Sequence, residues 1–190
     1  MLILVRHGRT ALNAARKLQG RIDEPLDEVG REQARRVAAL VGGYDELISN
    51  PLLRATQTAA MIGDDYAVDE RWVELSYGVY EGVPHADTPS EVWGRWRDDP
   101  AFVPEGGESL AELDRRVRAA CEALSERARE TRVVVVSHVS PIKAAVAWAL
   151  GASVDIAWRS HLDQASICRI DIRSHGPVLI TFNETPPPPT

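Results

Sequence analysis

The chain has 190 residues, 44% of them hydrophobic, enough for one globular domain with a substantial core. Its 28 acidic and 22 basic side chains give a formal net charge of -6 with neither sign gathered into a block, which argues against a nucleic-acid partner, whose phosphates need a basic field. No apolar run reaches the length of a bilayer crossing, and the first residues carry neither a basic leader nor a cleavage-like segment, so the expected setting is cytoplasmic with no membrane partner.

Leu2 to Arg6 (LILVR) reads as a buried strand that runs straight into His7 and Gly8. From Asp27, a predicted N-cap, DEVGREQARRVAALVGG places Val29, Ala34, Val37, Ala38 and Val41 on an approximate helical stripe and stops at paired glycines. ELISN reads as a second strand, and Pro51 suits the first turn of the helix LLRATQTAAMIG, where a missing N–H costs nothing. Residues 76–107 are rich in proline, glycine and aspartate and are expected to form a loop-rich insertion with one short helix around EVWGRWRDD.

Ser109 and Glu112 make a capping-box pattern for a long helix whose apolar face is Leu110, Leu113, Val117, Ala120 and Leu124. RVVVVSH is the clearest buried strand, followed by a helix PIKAAVAWALG and two strands, ASICRIDI and PVLITF. Cys121 and Cys168 lack CxxC spacing and are expected to be buried thiols. This alternation of short strands and helices predicts one layered α/β domain over residues 1–184, with no internal repeat, and a proline-rich tail at 185–190.

Two of the predicted strands end in a histidine, His7 and His138, and ligands of open α/β sheets bind at the carboxyl ends of parallel strands. Arg54 lies about a helical turn beyond the strand ELISN. With Arg6 it supplies planar donors of the kind that fit phosphate oxygens. The five histidines show no HxH or HExxH spacing, so no metal site is expected. Neither a GxxxxGK phosphate loop nor a GxSxG nucleophile elbow is present.

RHG at Arg6 to Gly8 with Thr10 and Asn13, SNPLLRATQTA, VELSYGVYEG and VVVVSHVSPIK occur in the order found in the histidine phosphatase (phosphoglycerate mutase-like) superfamily, which this chain resembles from its first residues to beyond Lys143. The resemblance implies a three-layer α/β/α fold with a mostly parallel sheet and an antiparallel edge strand. It implies a metal-independent phosphomonoester hydrolase acting on a small phosphorylated metabolite, with no cofactor. His7 would be the nucleophile, forming a phosphohistidine. Arg6, Arg54 and His138, with Val139 beside the second histidine, would hold the phosphoryl group. Glu74 would be the acid that protonates the leaving alcohol, with Glu81 in YEG as its competitor. Asn13 and Gln19 either contact phosphate or substrate, or belong to a surface loop.

SHVSPIK and HLDQAS resemble α-ribazole phosphatases and the phosphatase half of bifunctional ribonuclease H/acid phosphatase proteins. A cofactor-dependent phosphoglycerate mutase is the alternative within the family, though its second histidine is normally followed by glycine where this chain has Val139. A non-catalytic phosphate-binding or partner-binding module on the same fold is the alternative outside enzymology. Trp93 and Trp96 either pack the insertion or line the substrate mouth. The second reading would have them stack on a ring-bearing leaving group, with Arg95 and Arg97 on the flanks to hold a second polar or anionic group. His85 and His175 read as solvated loop residues, and His161 as a structural hydrogen-bonding residue. A homodimer and a monomer are both compatible with the pattern.

Overall fold

The computed structural model describes residues 1–186 and contains a six-stranded sheet between two helical layers; residues 187–190 of the expected tail lie outside the described residues. Strands β1 (Leu2–Arg6) and β4 (Val133–Ser137) pair in parallel, from Leu2 opposite Val133 to Arg6 opposite Ser137. Side chains alternate across the pleat. Leu2, Leu4, Val133 and Val135 therefore join one core with α5 (Leu110–Glu130) and α6 (Val139–Ala149). Ile3, Val5, Val134 and Val136 join the other with α2 (Glu28–Val41) and α3 (Leu53–Ile62). A strand covered on both faces needs an apolar residue at every position, which is why both segments are unbroken apolar runs. Each such side chain stabilises the fold by about 1.5–3 kcal/mol.

The strand order is β3 (Ala67–Val68), β2 (Glu46–Ser49), β4, β1, β5 (Ile167–Arg173), β6 (Gly176–Glu184). β2 is parallel to β3 and β4, whereas β5 is antiparallel to β1 and to β6, so the antiparallel pairing lies at one side of a mostly parallel sheet. The α5 capping box is present as expected, with Ser109 Oγ accepting from the Glu112 amide and the Glu112 carboxylate accepting from the Ser109 amide. Both cysteines are buried free thiols, and burial pushes Cys168 up to about 11.

Several boundaries differ from the sequence expectation. Asp27 caps α2, accepting from the Gly30 amide at 2.7 Å, but Val29 is 44% exposed and Ala38 only half-buried. The buried stripe is Gly30, Ala34, Val37 and Val41. Glycine occupies this face because backbone packs on backbone. A Cβ at Gly8 would fall 2.3 Å from the Gly30 carbonyl oxygen, and one at Gly30 would fall 2.0 Å from that of Arg9. Pro51 precedes α3 rather than opening it, because Asn50 Oδ1 and Asp23 Oδ1 take the Leu52 and Leu53 amides and set the helix start later. α6 begins at Val139, directly after its N-cap His138, and not at Pro141.

The segment 76–107 contains a 3₁₀ turn, Gly78–Tyr80, and one helix, α4 (Ser90–Asp98). With Leu18 from the loop after the first strand it forms a small core in which Leu18, Trp96 and Phe102 are buried with Tyr77, Tyr80 and Trp93 against them. A four-residue helix α1 (Ala11–Ala14), the short β3 and 3₁₀ segments at Glu70–Trp72 and Val154–Arg159 were not expected from the sequence. No helix among the described residues is long and apolar enough to cross a membrane.

Candidate active site

The parallel register that sets Arg6 opposite Ser137 makes His7 and His138 neighbours at the carboxyl ends of β1 and β4. The His7 amide donates to the Ser137 carbonyl at 3.0 Å, and the two rings lie 5.0 Å apart at 63°. His7 is 3% exposed, and its Nδ1 lies 2.6 Å from the Gly8 carbonyl oxygen. A carbonyl only accepts, so the proton of the neutral ring resides on Nδ1 and the lone pair on Nε2. Burial, then the charges of Arg54 and Arg6, hold this ring well below the usual histidine range, so it is neutral at pH 7.

His138 is fully buried, and its Nδ1 accepts from Arg54 Nε at 3.2 Å. Its proton is therefore on Nε2, which has no partner among the described residues. Burial and the same arginines keep this ring neutral too. Arg54, in the first turn of α3, also donates to the Ile22 carbonyl at 2.8 Å and the Gly20 carbonyl at 2.6 Å. Arg6 donates to the Leu162 carbonyl at 2.5 Å, and its buried Nε is unpartnered. Burial lowers each guanidinium to about 10 against the raising influence of Glu74, so both stay charged at neutral pH.

Glu74 is 7% exposed, and its Oε1 accepts from the Leu75 amide at 2.7 Å and the Ser140 amide at 3.3 Å. The Ser140 contact places the carboxylate at the positive end of α6. Its main-chain carbonyl accepts from Arg21 Nε and Arg116 Nη2, each at 3.3 Å, and both arginines pair with Glu108. Glu81, the competing acid, is occupied otherwise, with Oε1 accepting from the Arg21 amide, the Tyr77 amide and Ser76 Oγ, which binds the loop to itself.

Arg6, His7, Arg54 and Glu74 line a cavity of about 530 Å³, together with Asn13, Gln19 and Val139, whereas His138 is buried against His7 and Arg54 and, like Glu81, does not border it. Gln19 is buried, with Oε1 accepting from Thr10 Oγ1 at 2.8 Å and Asn13 Nδ2 at 3.3 Å, so its unpartnered Nε2 is another donor. Asn13 Oδ1 is used by the Thr10 amide. Val139 is the first residue of α6, where the amide has no intrahelical acceptor.

Trp93 and Trp96 both border the cavity, but Trp96 is 1% exposed and stands behind Trp93, their rings 5.4 Å apart, as the anchor of the insertion. The expected flanking role of Arg95 and Arg97 does not hold. Arg95 lies over the Phe102 ring at 3.9 Å and Arg97 pairs with Asp98, and neither borders the cavity. His85 is exposed as expected, and its ring packs 5.8 Å from Trp93 on the cavity lining. His161 also borders the cavity and meets Asp163 at 3.0 Å. Sequence reasoning gave no role to Trp158 or Lys143, which line the cavity as well. One signal pointed to Lys143: it is a lone charge in the otherwise apolar helix PIKAAVAWAL.

The sequence profile of the histidine phosphatase superfamily (branch 1) matches residues 2–185. The chain belongs to this superfamily. A bifunctional protein of Mycobacterium tuberculosis is 36% identical over 185 residues, covering 92% of this chain and 51% of that protein. The chain thus spans about half the length of this curated relative. A Yersinia pestis protein named "Probable phosphoglycerate mutase" is 38% identical over 181 residues, covering 88% of this chain and 83% of that one. Among solved superfamily structures, a phosphoserine phosphatase mutant of Entamoeba histolytica in complex with phosphoserine superposes with a TM-score of 0.89 at 28% identity, covering 96% of this chain and 95% of that one.

Proposed function

We propose that the chain is a phosphomonoester hydrolase that works through a phosphohistidine on His7, with no metal ion or other cofactor. The observation that carries this reading is the Gly8 carbonyl at Nδ1 of a neutral, buried His7, which leaves the Nε2 lone pair as the only reactive feature of the ring. In the first step Nε2 forms a bond to phosphorus while the ester P–O bond breaks. The departing oxygen takes the proton of Glu74. Because Oε1 already accepts two amides, Oε2 is the oxygen that carries this proton. In the second step Glu74 takes a proton from water as the water oxygen bonds to phosphorus and the P–N bond breaks, giving inorganic phosphate and restoring the neutral ring.

Charge on the transferring group is met by Arg6, Arg54, His138 Nε2, Gln19 Nε2 and the amide of Val139. All are fixed in advance by buried contacts, so little reorganisation is needed as the charge spreads. Two guanidiniums can perform the neutralisation that a metal ion performs elsewhere.

Rapid acid- and base-quench of a turnover mixture tests the mechanism: base-stable, acid-labile phosphate should appear on the wild type and be absent from a folded His7→Ala variant. Turnover should persist in excess chelator. Undiminished hydrolysis by His7→Ala refutes the mechanism. The Yersinia relative favours a mutase as second reading, and a bisphosphoglycerate-dependent conversion of 3-phosphoglycerate faster than its hydrolysis would establish it.

A further inference from the structure

Two indoles from separate segments meet on the wall of the cavity. Trp93 comes from α4 and Trp158 from the 3₁₀ segment Val154–Arg159, and their rings lie 6.2 Å apart at 87°. Trp158 is 39% exposed, an open aromatic surface on a pocket rather than a core residue. Trp93 is held by its neighbours, with Nε1 donating to the His85 carbonyl at 3.4 Å and Trp96 packed behind. The Trp158 segment is held by Lys143, whose Nζ donates to the carbonyls of Ala157 at 2.8 Å and Ser160 at 2.6 Å.

The charges on the same lining are one-sided. Among the described residues its only carboxylate is Glu74, one oxygen of which accepts from the α6 amide of Ser140, whereas Arg16, Lys17 and Lys143 bring positive charge. Arg16 and Lys17 have no carboxylate partner among the described residues. An ammonium group on a substrate would meet like charge here. A hydroxyl would find the side-chain oxygens of Asn13 and Gln19 already engaged, Asn13 Oδ1 by the Thr10 amide and Gln19 Oε1 by Thr10 Oγ1 and Asn13 Nδ2. A cavity of about 530 Å³ exceeds what a three-carbon phosphate fills.

Resting on the hydrolase reading, we infer that the cavity selects phosphomonoesters whose alcohol bears a neutral or anionic aromatic or heterocyclic ring and discriminates against alcohols bearing an ammonium group. Trp93 and Trp158 are the specificity residues. Lys143 is a positioning residue for Trp158.

The test compares kcat/KM for benzyl phosphate with that for butyl phosphate, whose leaving alcohols are close in acidity, alongside phosphoethanolamine and glucose 6-phosphate. The wild type should favour benzyl over butyl phosphate by about tenfold, with phosphoethanolamine below both. Trp158→Ala should cut the benzyl-to-butyl ratio by about fivefold, and Trp158→Phe should restore most of it. Lys143→Met should lower the same ratio through KM for benzyl phosphate more than through kcat. A wild-type ratio near one, a preference for glucose 6-phosphate or phosphoethanolamine, or a ratio indifferent to Trp158→Ala overturns the inference. Calorimetric binding of benzylphosphonate against butylphosphonate reads the selectivity without turnover. A folded protein that prefers benzylphosphonate yet hydrolyses no ester refutes the hydrolase reading alone, and one that binds both equally refutes the aromatic wall.

Discussion

The Nε–H of Arg54 donates to Nδ1 of His138 at 3.2 Å, so a permanently charged group fixes the tautomer of a buried ring and turns its Nε2–H into a dedicated donor. The same guanidinium is pinned to the Gly20 and Ile22 carbonyls, which ties the glycine-containing loop to α3. Lysine cannot reproduce a planar three-way contact. Arg54→Lys should therefore lower kcat by about 100-fold or more while the fold persists. Nitrogen-resolved NMR of the imidazoles should then show His138 no longer confined to one tautomer, and an unchanged tautomer with full activity would refute the role.

His7 and His138 are held well below the usual histidine range by burial and by the charges of Arg54 and Arg6. Below about pH 6.5 the unfolded chain binds protons at these rings that the folded chain refuses, so stability is fullest above that pH and falls as the pH drops. The slope should approach about 1.4 kcal/mol per pH unit for each ring. Urea unfolding at a series of pH values should show His138→Gln with a shallower acid slope than wild type, and parallel slopes would count against the assignment.

Glu74→Gln should slow esters with poor leaving groups far more than p-nitrophenyl phosphate, whose phenolate departs with little protonation. Arg116→Gln removes a donor to the Glu74 carbonyl and should show the same substrate dependence in milder form. Equal losses on both substrates would deny Glu74 the role of acid.

Two glycine substitutions should behave oppositely. Gly30→Ala would set a methyl group 2.0 Å from the Arg9 carbonyl oxygen, beside the loop that carries His7, and should cost about 1–3 kcal/mol and reduce turnover. Gly94→Ala, inside α4 with nothing within 4 Å of the added carbon, should stabilise by about 0.5–1 kcal/mol. Thermal unfolding of both variants checks the pair.

The central strands were legible because burial on both faces writes itself into sequence as an uninterrupted apolar run, and the α5 start because Ser109 and Glu112 sit at capping distance. Arg6, His7, Arg54, Glu74 and His138 stand out in the sequence through ordered motifs; the first four border one cavity, and His138 is buried beside it in contact with Arg54 and His7. The expected α2 stripe holds at Ala34, Val37 and Val41 and fails at Val29, because a hydrophobic pattern counts side chains and the buried face there is completed by a residue that has none, Gly30. Trp158 was not legible, since its meeting with Trp93 depends on the path of a 3₁₀ segment whose anchor is a hydrogen bond to main chain.

That anchor has an evolutionary corollary. The Lys143 ammonium grips only peptide oxygens, at Ala157 and Ser160, and every residue type presents the same oxygen. Residues 155–160 can therefore exchange their side chains without loosening this grip, whereas Val154 adds a buried side chain to the core that α6 shares. The stretch behaves as an interchangeable cassette, and the cavity wall at Trp158 can be rebuilt by substitution while the paired histidines at the ends of β1 and β4 are left as they were.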